Sequence, residues 1–273
     1  MRKYDIDYAR RCQACQIHAS VPHQPPELLH PALAPWPFMR WGMDIVRKPP
    51  PASRQRVFFL AMTDYFSKWI EAEACREVRD KDGISFIKRN IICRPGVPSK
   101  IVCDNGSQFI SDRTREFCQQ WNINLVTTTP RYPQSNGQAE ASNKVIINNL
   151  KKRLIGAKGG WADELPDILW SDRTTPKVAT GQSPFSLVYG CEAVLPTEMI
   201  VPPARCQLST PAQNNAKLAH DLDTVDELRE SAERRLAVHT QQVARSYNKN
   251  VKIRVFKLGD WVLRKVFPQH PRT

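Results

Sequence analysis

The order of apolar runs along this chain predicts an α/β fold built on a mixed five-stranded sheet with flanking helices. Three short runs suited to strands follow one another at Trp41 to Val46, Val57 to Phe66 and Lys68 to Cys75. After them helical and extended patterns alternate: helix 80–93, strand 101–105, helix 112–121, strand 124–128. Beyond Gly137 no Gly or Pro recurs until Gly156, which admits a helix of about four or five turns.

Each element has a local reason. Residues 21–40 hold six prolines and read as an extended linker, so the folded core is expected over 41–195. The first three strands are separated by short breaks, which predicts antiparallel neighbours. Apolar residues at 84, 87, 91 and 92 carry helical spacing until Pro95-Gly96 ends it, and Phe117 and Trp121 lie four apart on the next helix. In the long helix Glu140, Lys144, Asn148 and Lys151 fall on one polar face, with Ile147, Leu150 and Leu154 on a neighbouring apolar stripe. Two shorter helices are expected at Trp161 to Trp170 and Ser183 to Tyr189. A Pro-containing linker over 196–213 leads to an amphipathic helix within 214–250, with Leu218, Leu222, Val225, Leu228, Ala232 and Leu236 on one stripe. That stripe suits packing on its own chain or on a second copy.

Three carboxylates stand out. Asp44 lies inside an apolar strand, where a charge needs a partner, a proton or a cation. Asp104 ends a strand before Asn105-Gly106, a position that also suits a turn former. Glu140 sits in the first turn of its helix, where complementing the helix dipole would account for it with only about 0.3–1 kcal/mol. Together, two Asp and one Glu form a set of hard oxygen ligands suited to Mg²⁺ and to phosphoryl transfer.

Forty Lys and Arg against 27 Asp and Glu give a net charge of +13, which favours a polyanionic partner such as nucleic acid. No run approaches the length of a membrane span, and the first residues lack the apolar core of a signal peptide. Eight cysteines are scattered along the chain, and only Cys12 and Cys15 have the spacing of half a zinc site.

The text around the carboxylates resembles that of retroviral and retrotransposon integrases. Asp44, Asp104 and Glu140, with 35 residues between the last two, match the Asp, Asp-35-Glu triad in order and spacing. WGMDIV, DNGSQF and PQSNGQAEASNK are each similar to the family's surrounding text. HQPPELLHPALAPWPFMRWGMDIV, TPRYPQSNGQAE and SPFSLVYGCEAVLPTE resemble integrases of gypsy-type LTR retrotransposons, plant ones above all. One departure is Asp172, where related sequences usually carry an aromatic residue.

The resemblance implies an RNase H-like fold in which the first and fourth strands lie side by side, bringing Asp44 and Asp104 together at the edge of the sheet beneath the Glu140 helix. It implies two divalent ions, Mg²⁺ or Mn²⁺, held by the triad, 3′-end processing and strand transfer into target DNA, and work in the nucleus as a homo-oligomer. Lys144 matches a position that contacts the element's DNA end. Asn105, Lys151 and the loop residues Arg131, Gln134 and Asn136 are candidates for the same strand. It further implies that residues 1–20 are the second half of a His-His-Cys-Cys finger, binding Zn²⁺ only when completed. Residues 251–273 would begin a small β-barrel, and the chain would be a piece of a longer polyprotein. Two other readings stay open: a nuclease similar to ribonuclease H, and an inactive fragment that only binds DNA or other copies.

Overall fold

The computed structural model describes residues 4, 8, 11–12, 28–29, 34–47, 56–106, 108–128, 137–153, 160–195 and 210–251. Cys15, Arg131, Gln134, Asn136, Leu154 and residues 252–273 of the expected barrel lie outside the described residues. The chain divides into two compact units, one formed by Met1–His30 with Val243–Thr273 and the other by Pro31–Gln242. In the first unit the Leu29 N–H donates to the Asn248 side chain at 2.8 Å, and the Cys12 N–H donates to the Tyr8 carbonyl at 2.9 Å.

The second unit holds a five-stranded mixed sheet. Its strands are β1 (Arg40–Arg47), β2 (Phe58–Asp64), β3 (Ile70–Cys75), β4 (Lys100–Asp104) and β5 (Asn124–Thr128), in the order β3-β2-β1-β4-β5. β1, β2 and β3 pair antiparallel, as their short connections require, while β1–β4 and β4–β5 are parallel and joined through helices. The expectation of a mixed sheet with β1 beside β4 is met. β2 ends two residues earlier than its apolar pattern suggests, because the chain turns through Lys68 at φ 65°, a left-handed conformation reached without glycine.

Alternation along the strands sends side chains to two cores. Trp41, Met43, Leu60, Met62, Ile101 and Cys103 pack on one face against Phe86, Ile87 and Ile91. These last three come from α1 (Asp80–Phe86) and a π-helical stretch, Ile87–Ile92, that continues it. The helix expected over 80–93 therefore changes hand-hold midway: Cys93 N–H donates five residues back to Lys88, and the wider turn keeps both Ile87 and Ile91 on the sheet. α2 (Asp112–Gln120), capped by the Ser111 hydroxyl, adds Cys118 to the same core.

The opposite face carries Val46, Phe59 and Ala61, covered by α3 (Gly137–Arg153) and α4 (Trp161–Thr174). The buried stripe of α3 is Ala139, Asn143, Ile146 and Leu150, with Ile147 only partly covered, so the stripe is rotated from the expected one and includes a polar residue. α4 runs past Trp170, its last turn held by the Arg173 guanidinium, which donates to the Ile70 carbonyl at 2.6 Å. Asp172 is buried there and pairs through one oxygen with Lys177 at 2.5 Å.

α5 (Pro184–Tyr189) and α6 (Pro211–Asn248) complete the described helices. Ala232 and Leu236 of α6 pack with Tyr65, Phe66, Val102 and Leu187, whereas Leu218 and Leu222 are exposed, so only the second half of the expected stripe is buried. Among the described residues no helix is long and apolar enough to cross a membrane.

Candidate active site

The site is set by strand parity. β1 and β4 are paired in parallel through Gly42↔Val102, and Asp44 and Asp104 each lie two residues beyond that pair. Two residues is one full period of a strand, so both aspartates project from the face that also bears Gly42 and Val102. That face is the one α3 covers. They therefore sit where β1 and β4 part, at the middle of the sheet's width.

Gly42 allows the helix to approach. A Cβ on Gly42 would lie 2.6 Å from the Tyr65 ring and 3.0 Å from the Ala139 methyl, closer than packed atoms tolerate. With no side chain there, Ala139 seats on β1 and is 1% exposed. Glu140, the next residue, is consequently carried to the flank of the helix beside the ends of β1 and β4, with its side chain exposed. One turn further on, Asn143 Nδ2 donates to Asp44 Oδ2 at 2.8 Å, while Asp44 Oδ1 accepts from the Ile45 N–H at 2.8 Å.

Burial pushes the Asp44 carboxyl up to about 6, and the charges of Asp104 and Glu140 push in the same direction against the bonds from Asn143 and Ile45. The structure thus brings Asp104 and Glu140 each within electrostatic reach of Asp44. Among the described residues, no three His, Cys, Asp or Glu side chains are gathered closely enough to enclose an ion. Asp44 is anchored, whereas Asp104 and Glu140 lie at the surface. Asp104 also serves as a turn former, its Oδ1 accepting from the Gly106 N–H at 3.1 Å.

The polar face of α3 is as expected: Glu140, Lys144, Asn148 and Lys151 are all exposed, and Lys152 and Arg153 extend the basic end. Asn105 is exposed beside Asp104. Asn143 was not among the expected site residues. The only sequence signal for it is its register, four residues after Ala139 and three before Ile146 on the buried stripe, where a polar side chain needs a partner. Its Oδ1 is buried without a hydrogen-bond partner.

Comparison with known proteins bears on the same region. Residues 35–133 match the family described as "Integrase core domain", a span that contains Asp44 and Asp104 and stops short of Glu140. The Gag-Pol polyprotein of avian reticuloendotheliosis virus is 33% identical over 133 residues, covering 49% of this chain and 12% of the polyprotein. The Transposon Tf2-3 polyprotein of Schizosaccharomyces pombe is 25% identical over 193 residues, covering 69% of this chain and 14% of that polyprotein. The chain thus matches only a small part of the length of these relatives. In fold it is similar to a chain of the simian T-cell lymphotropic virus intasome solved in complex with PP2A regulatory subunit B56 gamma, with TM-score 0.55 and 20% identity over 77% of this chain and 71% of that one. The mixed sheet with its flanking helices is the RNase H-like fold seen in integrase cores, and residues 35–133 of this chain are similar to the integrase core domain family.

Proposed function

We propose that this chain acts as the integrase of a gypsy-type LTR retrotransposon, trimming the 3′ ends of the element's DNA and joining them to target DNA in the nucleus. An integrase core implies DNA integration. The single observation that carries the finer reading is the Asp44 carboxyl, raised by burial and by Asp104 and Glu140, in a site where like charges meet with no cation among its partners in the described residues. That donor set, all hard oxygen, fits Mg²⁺ or Mn²⁺. When bound, a pair of such ions would lower the pKa of the attacking hydroxyl and stabilise charge on the entering and leaving oxygens.

In this reading Asp44 is the fixed ligand, oriented by Asn143 and by the Ile45 N–H. Asp104 and Glu140, being exposed, turn toward it. Lys144 and Lys151 line the exposed face of α3 beside Glu140, positioned to neutralise DNA phosphates, and Asn105, Arg131, Gln134 and Asn136 would border the same strand. Self-association fits the exposed Leu218 and Leu222 of α6. Cys12 and Cys15 would hold Zn²⁺ only with two further ligands.

The test is strand transfer with a pre-cut 3′ DNA end and Mn²⁺, comparing the chain with Glu140→Gln. Joining is expected for the parent and a loss of at least about a thousandfold for the variant, since an ion's stabilisation is worth several kcal/mol. DNA binding should persist in both. Cleavage without joining would favour the ribonuclease H-like reading, and DNA binding without either activity would favour a binding fragment.

A further inference from the structure

We propose that Lys68 is a positioning residue for Glu140, acting through Gln138 to fix the rotation of α3 over β1. The inference rests on the reading of Glu140 as a metal ligand and adds a residue to that site. Lys68 lies in the β2–β3 turn, far in sequence from the carboxylates, at φ 65°. Its ammonium is turned inward, donating to the Tyr65 carbonyl at 2.7 Å and to Gln138 Oε1 at 2.6 Å. Gln138 is the second residue of α3 and stands two before Glu140.

The turn that presents Lys68 is itself built on a buried carboxylate. Asp64 Oδ2 accepts from the Ser67 N–H at 2.8 Å and the Ser67 hydroxyl at 2.7 Å, and Asp64 Oδ1 accepts from the Phe38 N–H at 3.0 Å. Lys68 in turn donates its own N–H to the Asp64 carbonyl at 3.1 Å. Burial draws the ammonium down to about 8 while the Asp64 charge holds it up, so the group remains a cation near neutrality.

Helix geometry shows why this bond matters for Glu140. At about 100° per residue, Gln138 projects about 100° to one side of Ala139, and Glu140 projects about 100° to the other. Ala139 and Asn143 are the residues that seat on β1. Packing along the buried stripe and the Asn143–Asp44 bond hold the helix down, and a contact on the flank opposite Glu140 adds a restraint against rolling at its first turn. The bond at Gln138 opposes rolling, because Gln138 and Glu140 lie on opposite flanks of one rigid helix, so a roll that moves Glu140 also moves Gln138 against its contact with Lys68.

A purely structural lysine would alter stability alone. The test therefore reads the metal site: Mn²⁺ titration of the chain, followed by the loss of free-ion EPR signal, with kcat and KM for strand transfer. Lys68→Met and Gln138→Leu are each expected to weaken Mn²⁺ binding about tenfold and to lower kcat with KM for DNA unchanged. The double variant should be no worse than either single one, since both remove the same contact. If Lys68→Met does not melt cooperatively, Gln138→Leu carries the test, because it leaves Lys68 with Asp64 and Tyr65. Additive losses, or Mn²⁺ binding equal to the parent's in both single variants while Asp44→Asn abolishes it, would overturn the role of Lys68 alone. A parent chain that binds no Mn²⁺, or binds it equally after Asp44→Asn, would overturn the metal-site reading and this proposal with it.

Discussion

Asp44 and Asp64 lie on neighbouring antiparallel strands, both have carboxyls pushed up to about 6 by burial, and they differ in what surrounds them. Asp64 is enclosed by donors, with the Ser67 N–H and hydroxyl, the Phe38 N–H and the Lys68 charge all favouring its anion. Asp44 has two donors, Asn143 and its neighbour's N–H, and beyond them meets the charges of Asp104 and Glu140. One carboxylate holds a turn together, and the other is left with a repulsion that folding does not relieve. Burial of an acid is therefore no guide to function by itself. The sign of the charge facing it is.

The comparison breaks most visibly at Asp64. Asp64→Ala leaves the Ser67 N–H, the Ser67 hydroxyl and the Phe38 N–H without their acceptor and removes the charge beside the Lys68 ammonium, so a loss of about 3–5 kcal/mol is expected in urea unfolding. A loss under about 1 kcal/mol would mean that Asp64 is not the anchor described.

Asp44 should respond in the opposite direction. Its folded pKa is raised, so its contribution to stability is full below the ordinary value of 3.8 and is lost as pH rises through about 6. Asp44→Asn has no carboxyl to ionise and keeps that contribution at pH 8. A shift of about two units sets a ceiling of about 3 kcal/mol. Asn has one acceptor where Asp44 uses two, so a gain of about 1–2 kcal/mol is expected in metal-free melts at pH 8, turning into a loss of about 1 kcal/mol near pH 4. The same variant should lose metal-dependent strand transfer. A destabilised Asp44→Asn at pH 8 would place Asp44 with Asp64 as a structural residue.

The smallest effect sharpens the contrast between the buried acids and the exposed bases. Lys144→Ala with Lys151→Ala should change stability by no more than about 0.5 kcal/mol. If each lysine neutralises one phosphate, the slope of log affinity against log salt should flatten by about 1.8, measured by fluorescence anisotropy on duplex DNA. An unchanged slope would remove this face of α3 from the DNA path.

Much of the architecture was legible from one-dimensional pattern. Strands and helices follow from apolar periodicity and from the placing of Gly and Pro, which are local properties, and they fall within a few residues of the expected limits. Departures occur where the fold overrode local preference: the left-handed turn at Lys68, the π-helical stretch at Ile87–Ile92, and the continuation of α4 to Thr174. Asp44, Asp104 and Glu140 were legible as a set through the resemblance of their order, spacing and surrounding text to the Asp, Asp-35-Glu triad.

By itself, the sequence determined the order of elements, the two-faced character of the strands and the identity of the three carboxylates, all of which depend on neighbours in the chain. Only the tertiary structure decided that Asp44 is oriented by Asn143, 99 residues away, that Lys68 reaches Gln138 across 70 residues, and that Gly42 clears the space in which Ala139 seats. The reason is physical. The charge state and direction of a buried group are set by whatever lies within a few ångströms through space, and chain separation carries almost no information about that.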